Sequence, residues 1–112
     1  MASTLKVLVE SKYAEAVQTT QYTSPASTLT TLDTITATNV GASAATISVN
    51  LGKSGDSAAN FNLITSIREI AANESYSFPE LTGHSLSAGG FLSTLASASN
   101  TIVIRISGRQ IT

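Results

Sequence analysis

Residues 32–51 read LDTITATNVGASAATISVNL, and this stretch decides the predicted fold. Two runs of alternating residues flank a break of small and polar residues at 39–45. Alternation with a period of two is typical of a half-buried β-strand, and Asn, Gly and Ser favour a turn between strands. The stretch therefore predicts a β-hairpin with one apolar face and one face of hydroxyl groups. The apolar positions of the two runs are Ile35, Ala37, Ile47, Val49 and Leu51.

The rest of the chain predicts further short strands separated by turns. Alternating or β-prone runs lie at Leu5–Glu10, Val17–Thr23, Ser75–Phe78, Phe91–Ala96 and Thr101–Ser107. Turn-forming residues lie at Ser24–Ser27, Gly52–Asn60 and Ser87–Gly90. The closing run places Ile102, Ile104 and Ile106 on one side, where they are expected to pack against Ile47, Val49 and Leu51.

Two segments allow more than one interpretation. Lys12–Val17 fits a helical turn, since Ala14, Glu15 and Ala16 favour helix, or a β conformation. Phe61–Ala72 is interpreted as one strand over 61–67 and another from 68, because of its β-branched residues. A helix there is the alternative, since isoleucines recur every third position from 64 to 70.

Strands spaced about ten residues apart, with no strong helix, predict an all-β protein. We expect a single antiparallel β-sandwich, jelly-roll-like, of about eight short strands. The 112-residue length fits one domain, residues 1–112, in which residues 1–16 form an N-terminal arm or an edge strand.

Composition excludes several classes of partner. Charged residues make up only 12% and the formal net charge is −1, so the chain has no basic footprint for a nucleic-acid partner. The 17 Ser and 16 Thr residues predict a polar but neutral surface. Such a surface offers little charge repulsion between molecules, which favours burial against another protein or a homo-oligomer.

The sequence also carries no targeting or redox signal. Lys6, Glu10 and Lys12 interrupt the apolar residues of the first segment, unlike a secretory signal peptide. No apolar run approaches the roughly 18 residues of a membrane span, so we expect no membrane partner and synthesis in the cytoplasm. There is no cysteine, which excludes disulfides and thiolate chemistry.

Nucleophilic catalysis finds little support in the residues. Gly83-His84-Ser85-Leu86-Ser87 resembles the G-x-S-x-G nucleophile elbow, but the last position is serine instead of glycine. The chain's one histidine lies beside the supposed nucleophile, where it cannot complete a triad. We therefore interpret this segment as a polar turn and predict no catalytic residue.

The sequence gives equally weak support for a metal site or a phosphate site. Any metal would need oxygen ligands from the scattered acids, and no two of these acids have the spacing of a calcium loop. Gly52-Lys53-Ser54 matches the end of a phosphate-binding loop, but position 47, where its first glycine belongs, is isoleucine. We predict no metal ligand and no cofactor-binding residue. The acids considered are Asp33, Asp56, Glu69, Glu74 and Glu80.

A carbohydrate-binding module is the alternative from a different functional class. It requires exposed aromatic rings, and the chain has three Tyr, three Phe and no Trp. Tyr76 and Phe78 alternate in a way that favours the core. Tyr22 is the best candidate for an exposed ring, although a tyrosine at a sandwich corner is an equally ordinary interpretation.

The order of features resembles small virion proteins of tailed bacteriophages over most of residues 20–112. The resemblance starts at Tyr22-Thr23-Ser24-Pro25-Ala26 and continues through a Thr-rich strand that ends in Thr38-Asn39-Val40-Gly41. The alternating Ala45–Leu51, the breaker Ser87-Ala88-Gly89-Gly90, and Ile102–Ile106 with Ser107-Gly108-Arg109-Gln110-Ile111 complete it. The chain departs from the usual pattern near Gly89-Gly90-Phe91, where an acidic residue often follows the glycine.

This resemblance implies a β-sandwich structural protein of a phage virion, assembled in the host cytoplasm. The implied role is a capsid decoration (cement) protein, whose partner is the major capsid protein or another virion protein. A tail, neck or fibre component is the alternative with the same fold and origin.

Two surfaces are then candidates for contact with that partner. The first is the hydroxyl face of the opening stretch, formed by Thr34, Thr36, Thr38 and Ser48. The second is the edge of the strand Leu5–Glu10, which could add to a partner sheet or exchange between copies.

Overall fold

Nine β-strands account for most of the chain in its computed structural model, which describes residues 2–112. One turn of 3₁₀ helix, Asn60–Asn62, precedes the fifth strand. Across residues 2–112 there is no helix long and apolar enough to span a membrane. The strands are β1 Ser3–Tyr13, β2 Thr19–Thr23, β3 Leu29–Asn39, β4 Ala45–Gly52, β5 Leu63–Ile70, β6 Ser75–Ser77, β7 Ser85–Leu86, β8 Phe91–Ala96 and β9 Ile102–Ile111.

The strands form two antiparallel sheets. Sheet A has the order β1-β9-β3-β6, and β7 also pairs with β3 beyond the end of β6. Sheet B has the order β2-β8-β4-β5. The chain changes sheet at every connection except β4–β5 and β6–β7. Each sheet has four strand positions, and in sheet A one of these positions is shared by β6 and β7. This connectivity is that of a jelly roll, and the predicted antiparallel β-sandwich is confirmed.

The predicted hairpin at 32–51 is wrong in its pairing, although both strands are present. β3 belongs to sheet A, where it pairs with β9, and β4 belongs to sheet B, where it pairs with β8 and β5. The five residues 40–44 carry the chain from one sheet to the other. Alternation reports which side each residue faces, and it contains no information on which strand is the neighbour.

The two ambiguous segments are also settled. The strand β1 continues through Tyr13, and residues 14–18 form a bend with no helical turn. Residues 61–72 contain one strand, β5, where two were predicted. A β-bulge interrupts β5, because Ser66 and Ile67 together oppose Ser48. Ile67 has a positive φ of 48° at this bulge, which explains why the segment fits no single period.

The core fills the space between the sheets as the alternation predicts. Ile47 and Val49 of sheet B and Ile102, Ile104 and Ile106 of sheet A are all at most 1% exposed. Leu51 is partly buried and packs against the same cluster. Other members of the core are Val9, Ala14, Leu32, Ile35, Ala37, Ala45, Ile70, Phe78, Leu81, Leu86, Leu92 and Ala96.

Sheet A contains one very close approach between neighbouring strands. The register of β3 against β9 shifts between Leu32 and Thr34, so Asp33 is an extra residue opposite Gly108. A Cβ atom at Gly108 would lie 2.2 Å from the carbonyl oxygen of Thr31, well inside van der Waals contact. The bulge therefore requires glycine at this position.

A buried asparagine holds the crossing from β3 to β4. Asn39 is completely buried, and its amide nitrogen donates to the carbonyl oxygens of Ser43 (2.9 Å) and Ile70 (2.8 Å). Its side-chain oxygen accepts a hydrogen bond from the backbone N–H of Gly41 at 2.8 Å. One side chain of sheet A thus satisfies three backbone groups of the connection and of β5.

We expect Asn39→Ala to lower the free energy of unfolding by about 2–4 kcal/mol, because it leaves three polar backbone groups without partners. Asn39→Asp should cost at least as much at pH 7, since a carboxylate cannot donate to the two carbonyl oxygens. Chemical denaturation measures both effects. Asn60→Ala, at an exposed asparagine, is the control and should stay within about 0.5 kcal/mol of wild type. An Asn39→Ala variant as stable as this control would contradict the assignment.

Candidate docking surface

The threonines singled out in the sequence lie together on the outer face of sheet A. Thr34, Thr36 and Thr38 alternate with buried residues along β3 and lie opposite Ser107, Arg105 and Val103 of β9. These six residues and Ser11 line a shallow groove of about 320 Å³. We call this outer surface of β3 and β9 the threonine face.

Further hydroxyl groups extend the threonine face towards β6 and β7. Ser75 and Ser77 lie opposite Thr38 and Thr36, and the hydroxyl oxygens of Thr38 and Ser75 are 2.8 Å apart. The hydroxyl oxygens of Thr31 and Ser85 are 3.3 Å apart at the other end of β3. Each hydroxyl both donates and accepts, so the face can bond to either kind of group on a partner.

The charges beside the threonine face cancel locally. The Arg109 guanidinium donates from Nε and Nη2 to the two carboxylate oxygens of Asp33, both at 3.1 Å. Arg105 lies 3.7 Å from the Glu10 carboxylate. Exposed ion pairs contribute little to stability, but each of these neutralises an arginine that would otherwise repel or attract a partner. The surface is therefore close to neutral along its length.

Ser48 does not belong to this surface, contrary to the sequence-based prediction. It lies on β4, on the outer face of the opposite sheet, and its hydroxyl accepts a hydrogen bond from the backbone N–H of Ile67 at 2.9 Å. A second groove, of about 330 Å³, lies there, with Leu63, Ile67 and Leu95 among its lining residues. Ile67 is 67% exposed. The outer face of sheet B thus also exposes apolar side chains, at Ile64, Ile67 and Leu95.

Tyr22 is not the exposed ring that a carbohydrate platform would use. Its ring packs against the core, its hydroxyl lies 2.9 Å from that of Thr30, and the amide of Gln110 donates to it at 2.7 Å. The interpretation as a corner tyrosine fits this geometry. The exposed rings are instead Tyr13 at 46% and Phe61 at 76%, on β1 and in the 3₁₀ turn.

The weak catalytic and metal motifs occupy turns and exposed loops. His84 is exposed, and its carbonyl oxygen accepts a hydrogen bond from the N–H of Leu32. Lys53 and Ser54 lie in an exposed loop after β4. Within residues 2–112, no three His, Cys, Asp or Glu side chains come together as a metal site would require.

A polar cluster that the sequence did not reveal joins the two sheets between β5 and β6. Glu80 accepts hydrogen bonds from the hydroxyls of Thr65 (2.6 Å) and Tyr76 (2.7 Å). The guanidinium carbon of Arg68 lies 4.0 Å from the centre of the Tyr76 ring, a cation–π contact. Tyr76 also packs edge-on against Phe78, with ring centres 4.8 Å apart.

The cluster shifts the pKa values of Glu80 and Tyr76 in opposite directions. Burial would raise the pKa of Glu80, but the hydrogen bonds from Thr65 and Tyr76 hold it below its usual 4.5. Burial and the bond to the Glu80 carboxylate raise the pKa of Tyr76 above 10.0. The contribution of Glu80 to stability is complete above pH 4.5 and is lost as pH falls through its lowered pKa. That of Tyr76 is complete below pH 10 and is lost as pH rises through its raised pKa.

We expect Glu80→Gln to lower the free energy of unfolding at pH 7 by about 1–2 kcal/mol, because one amide oxygen replaces two acceptors for two O–H donors. The variant should also lose less stability than wild type between pH 4.5 and lower pH. Denaturation followed over this range measures both effects. Glu74→Gln, at an exposed glutamate, is the matched control and should follow wild type. An unchanged acid profile in Glu80→Gln would contradict the assignment.

Comparison with known proteins adds information about the fold. No protein-family model matches the sequence, and no curated protein matches it. A chain of the T13 viral particle of infectious bursal disease virus superposes with a TM-score of 0.55 at 10% identity, over 97% of this chain and 30% of that chain. A chain of the Gx strain of the same virus gives 0.49 at 12% identity, over 97% and 32%.

This chain therefore spans about a third of the chains it resembles. At 10% identity the first match shows a shared fold, and the second is too weak to carry an argument. The comparison supports a β fold shared with a chain of a viral particle. It does not extend to tailed bacteriophages, so that part of the predicted resemblance has no support from it.

Proposed function

We propose that this chain is a non-enzymatic structural protein of a virion. At a finer level, we propose a capsid decoration (cement) protein of a tailed bacteriophage, bound to the major capsid protein through the threonine face. The fold shared with a viral-particle chain supports the general role. The broad, neutral, hydroxyl-rich outer surface of sheet A is the observation that carries the docking role.

The physical argument concerns how such a surface binds. Thr34, Thr36 and Thr38 present hydroxyls along one line, and the nearby arginines are already paired with acids. Contact therefore depends on many weak hydrogen bonds and on apolar side chains such as Val103, with little long-range attraction. Binding of this kind becomes strong on a repeating lattice, where several copies or several contacts act together.

The cement role predicts that particles lacking this protein lose shell stability. Deletion of its reading frame should give particles that release their contents at a lower temperature, or on addition of a chelator, while wild-type particles remain intact. Adding back the purified protein should restore stability. Particles of unchanged stability, with the protein absent from the capsid fraction, would contradict the cement role.

The choice of docking face is tested by introducing a bulky, positively charged side chain on each sheet in turn. Thr34→Arg puts a cation at an exposed position in the middle of the threonine face, and we expect at least a tenfold loss of binding to particles, about 1.4 kcal/mol. Ser66→Arg makes the same change at an exposed position of β5 in sheet B and should bind normally. The reverse result would place the contact on sheet B and overturn this choice of face.

Fractionating the particles into capsids and tails also distinguishes the cement role from the alternatives. A tail, neck or fibre component would be found with isolated tails and would leave the thermal stability of the shell unchanged. A carbohydrate-binding module loses its best candidate residue, since the Tyr22 ring packs against the core and its hydroxyl is bonded to Thr30 and Gln110. Binding of purified protein to glycans would be needed to revive that alternative.

A further inference from the structure

The sandwich protects most of its sheet edges against pairing with other chains. On one side of sheet A, β6 and β7 have only three and two residues. In sheet B, β2 has five residues and an irregular register between Thr20 and Tyr22, and β5 contains the Ile67 bulge. Short strands and bulges are features that block edge-to-edge pairing.

The first half of β1 lacks this protection. Residues Ser3–Val7 run in unbroken register with Ile111–Ser107 of β9, and the first irregularity of β1 comes after Val7. Within residues 2–112 no strand pairs with the other side of β1. Leu5, in the middle of this segment, is 78% exposed.

Hydrogen bonding to β9 determines which backbone groups are free at this edge. Ala2 and Thr112 exchange both N–H···O bonds, at 2.7 and 2.9 Å. In an antiparallel ladder, residues with both groups bonded to the neighbour alternate with residues whose groups point away from it. Continuing the register from Ala2, the amide and carbonyl groups that point to the free edge belong to Ser3, Leu5 and Val7.

The side chains of this segment add an apolar contact. Leu5 and Val7 lie opposite Arg109 and Ser107 and therefore share the outer face of sheet A. Both line a shallow depression of about 420 Å³ beside Gly108. A second strand placed along the edge would cover Leu5.

We propose that β1 pairs antiparallel with β1 of a second copy of this chain, with Leu5 opposite Leu5. In this register Ser3 lies opposite Val7 of the other copy, so every free backbone group of the segment finds a partner. The three facing pairs, with two bonds each, give six hydrogen bonds. The two Leu5 and two Val7 side chains meet on one face.

Other registers are worse for identifiable reasons. A shift that places Lys6 opposite Lys6 brings two like charges together at the closest cross-strand distance and satisfies fewer groups. A shift in the other direction, with Thr4 opposite Thr4, pairs Leu5 with Ser3 and so separates the two Leu5 side chains. In the proposed register Lys6 faces Thr4 of the second copy. Of these three registers, the one centred on Leu5 pairs all the free backbone groups of residues 3–7 with one another and also avoids the Lys6–Lys6 contact.

The pairing is independent of the proposed virion role. It joins two copies of sheet A into one continuous eight-stranded sheet, because each sheet has four positions. A two-fold axis perpendicular to the plane of the joined sheet leaves both threonine faces on the same side. Any surface that binds one copy would then meet two identical faces.

Sedimentation equilibrium on the purified chain tests the pairing. The contact is smaller than a standard interface, so we expect a dimer of twice 11.5 kDa with a dissociation constant on the order of 10–100 μM. Leu5→Pro removes only an outward N–H, which an edge strand tolerates, and should weaken the dimer at least about tenfold. A wild-type chain that stays monomeric at all concentrations would overturn the proposal.

Cysteine cross-linking tests the register without relying on that variant, since the chain has no cysteine of its own. The two Leu5 Cα atoms should lie about 5.5 Å apart, within the usual range for a disulfide. Leu5→Cys should therefore form a covalent dimer on mild oxidation. In Thr4→Cys, the matched control, the two Cα atoms lie roughly 8 Å apart and should not cross-link.

Charge at position 4 gives a third readout. Thr4→Glu places an acid opposite Lys6 of the second copy and should tighten the dimer, whereas Thr4→Lys should loosen it. A dimer insensitive to these changes and to Leu5→Pro, with no cross-link in Leu5→Cys, would place self-association elsewhere. Pairing of β1 only with a strand of another protein would also overturn the proposal of a second copy.

Discussion

The buried amide of Asn39 joins the two sheets at the point where the chain passes from one to the other. Its three hydrogen bonds hold the connection 40–44 and the carbonyl of Ile70 in β5. Without these bonds, the buried Asn39 amide would lose its partners and the connection 40–44 would no longer be held against β5. This crossing is where the chain brings the apolar faces of β3 and β4 to opposite sides of the same core.

The positions of most strands could be predicted from the sequence, and their partners could not. Alternation located β3, β4 and β8 well and identified Ile47, Val49, Ile102, Ile104 and Ile106 as core. The apparent hairpin failed because a turn-like break of five residues can either reverse a strand or cross a sandwich. The two-strand interpretation of 61–72 failed because the bulge at Ile67 changes the alternation within one strand.

Prediction of the threonine face from the sequence was limited in the same way, because it depended on which strands are neighbours. Thr34, Thr36 and Thr38 were correctly grouped because they share one strand, whereas Ser48 was added through the mistaken hairpin. The Glu80 cluster was missed, since its members are up to 15 residues apart and come from different sheets. A single acid between Phe78-Pro79 and Leu81 was the available signal. A charged residue in an apolar run generally requires a specific partner.

Gly108 limits how far this sequence can diverge while keeping its surface. The carbonyl of Thr31 occupies the space that any other side chain would need, so a substitution would displace the Asp33 bulge. The Asp33–Arg109 ion pair and the alignment of the threonines after the bulge would move with it. Distant relatives that retain this surface should therefore still have glycine here, even where identity is too low to align the rest. This position, together with an asparagine that ends the third strand, gives a sparse signature by which such relatives can be recognised.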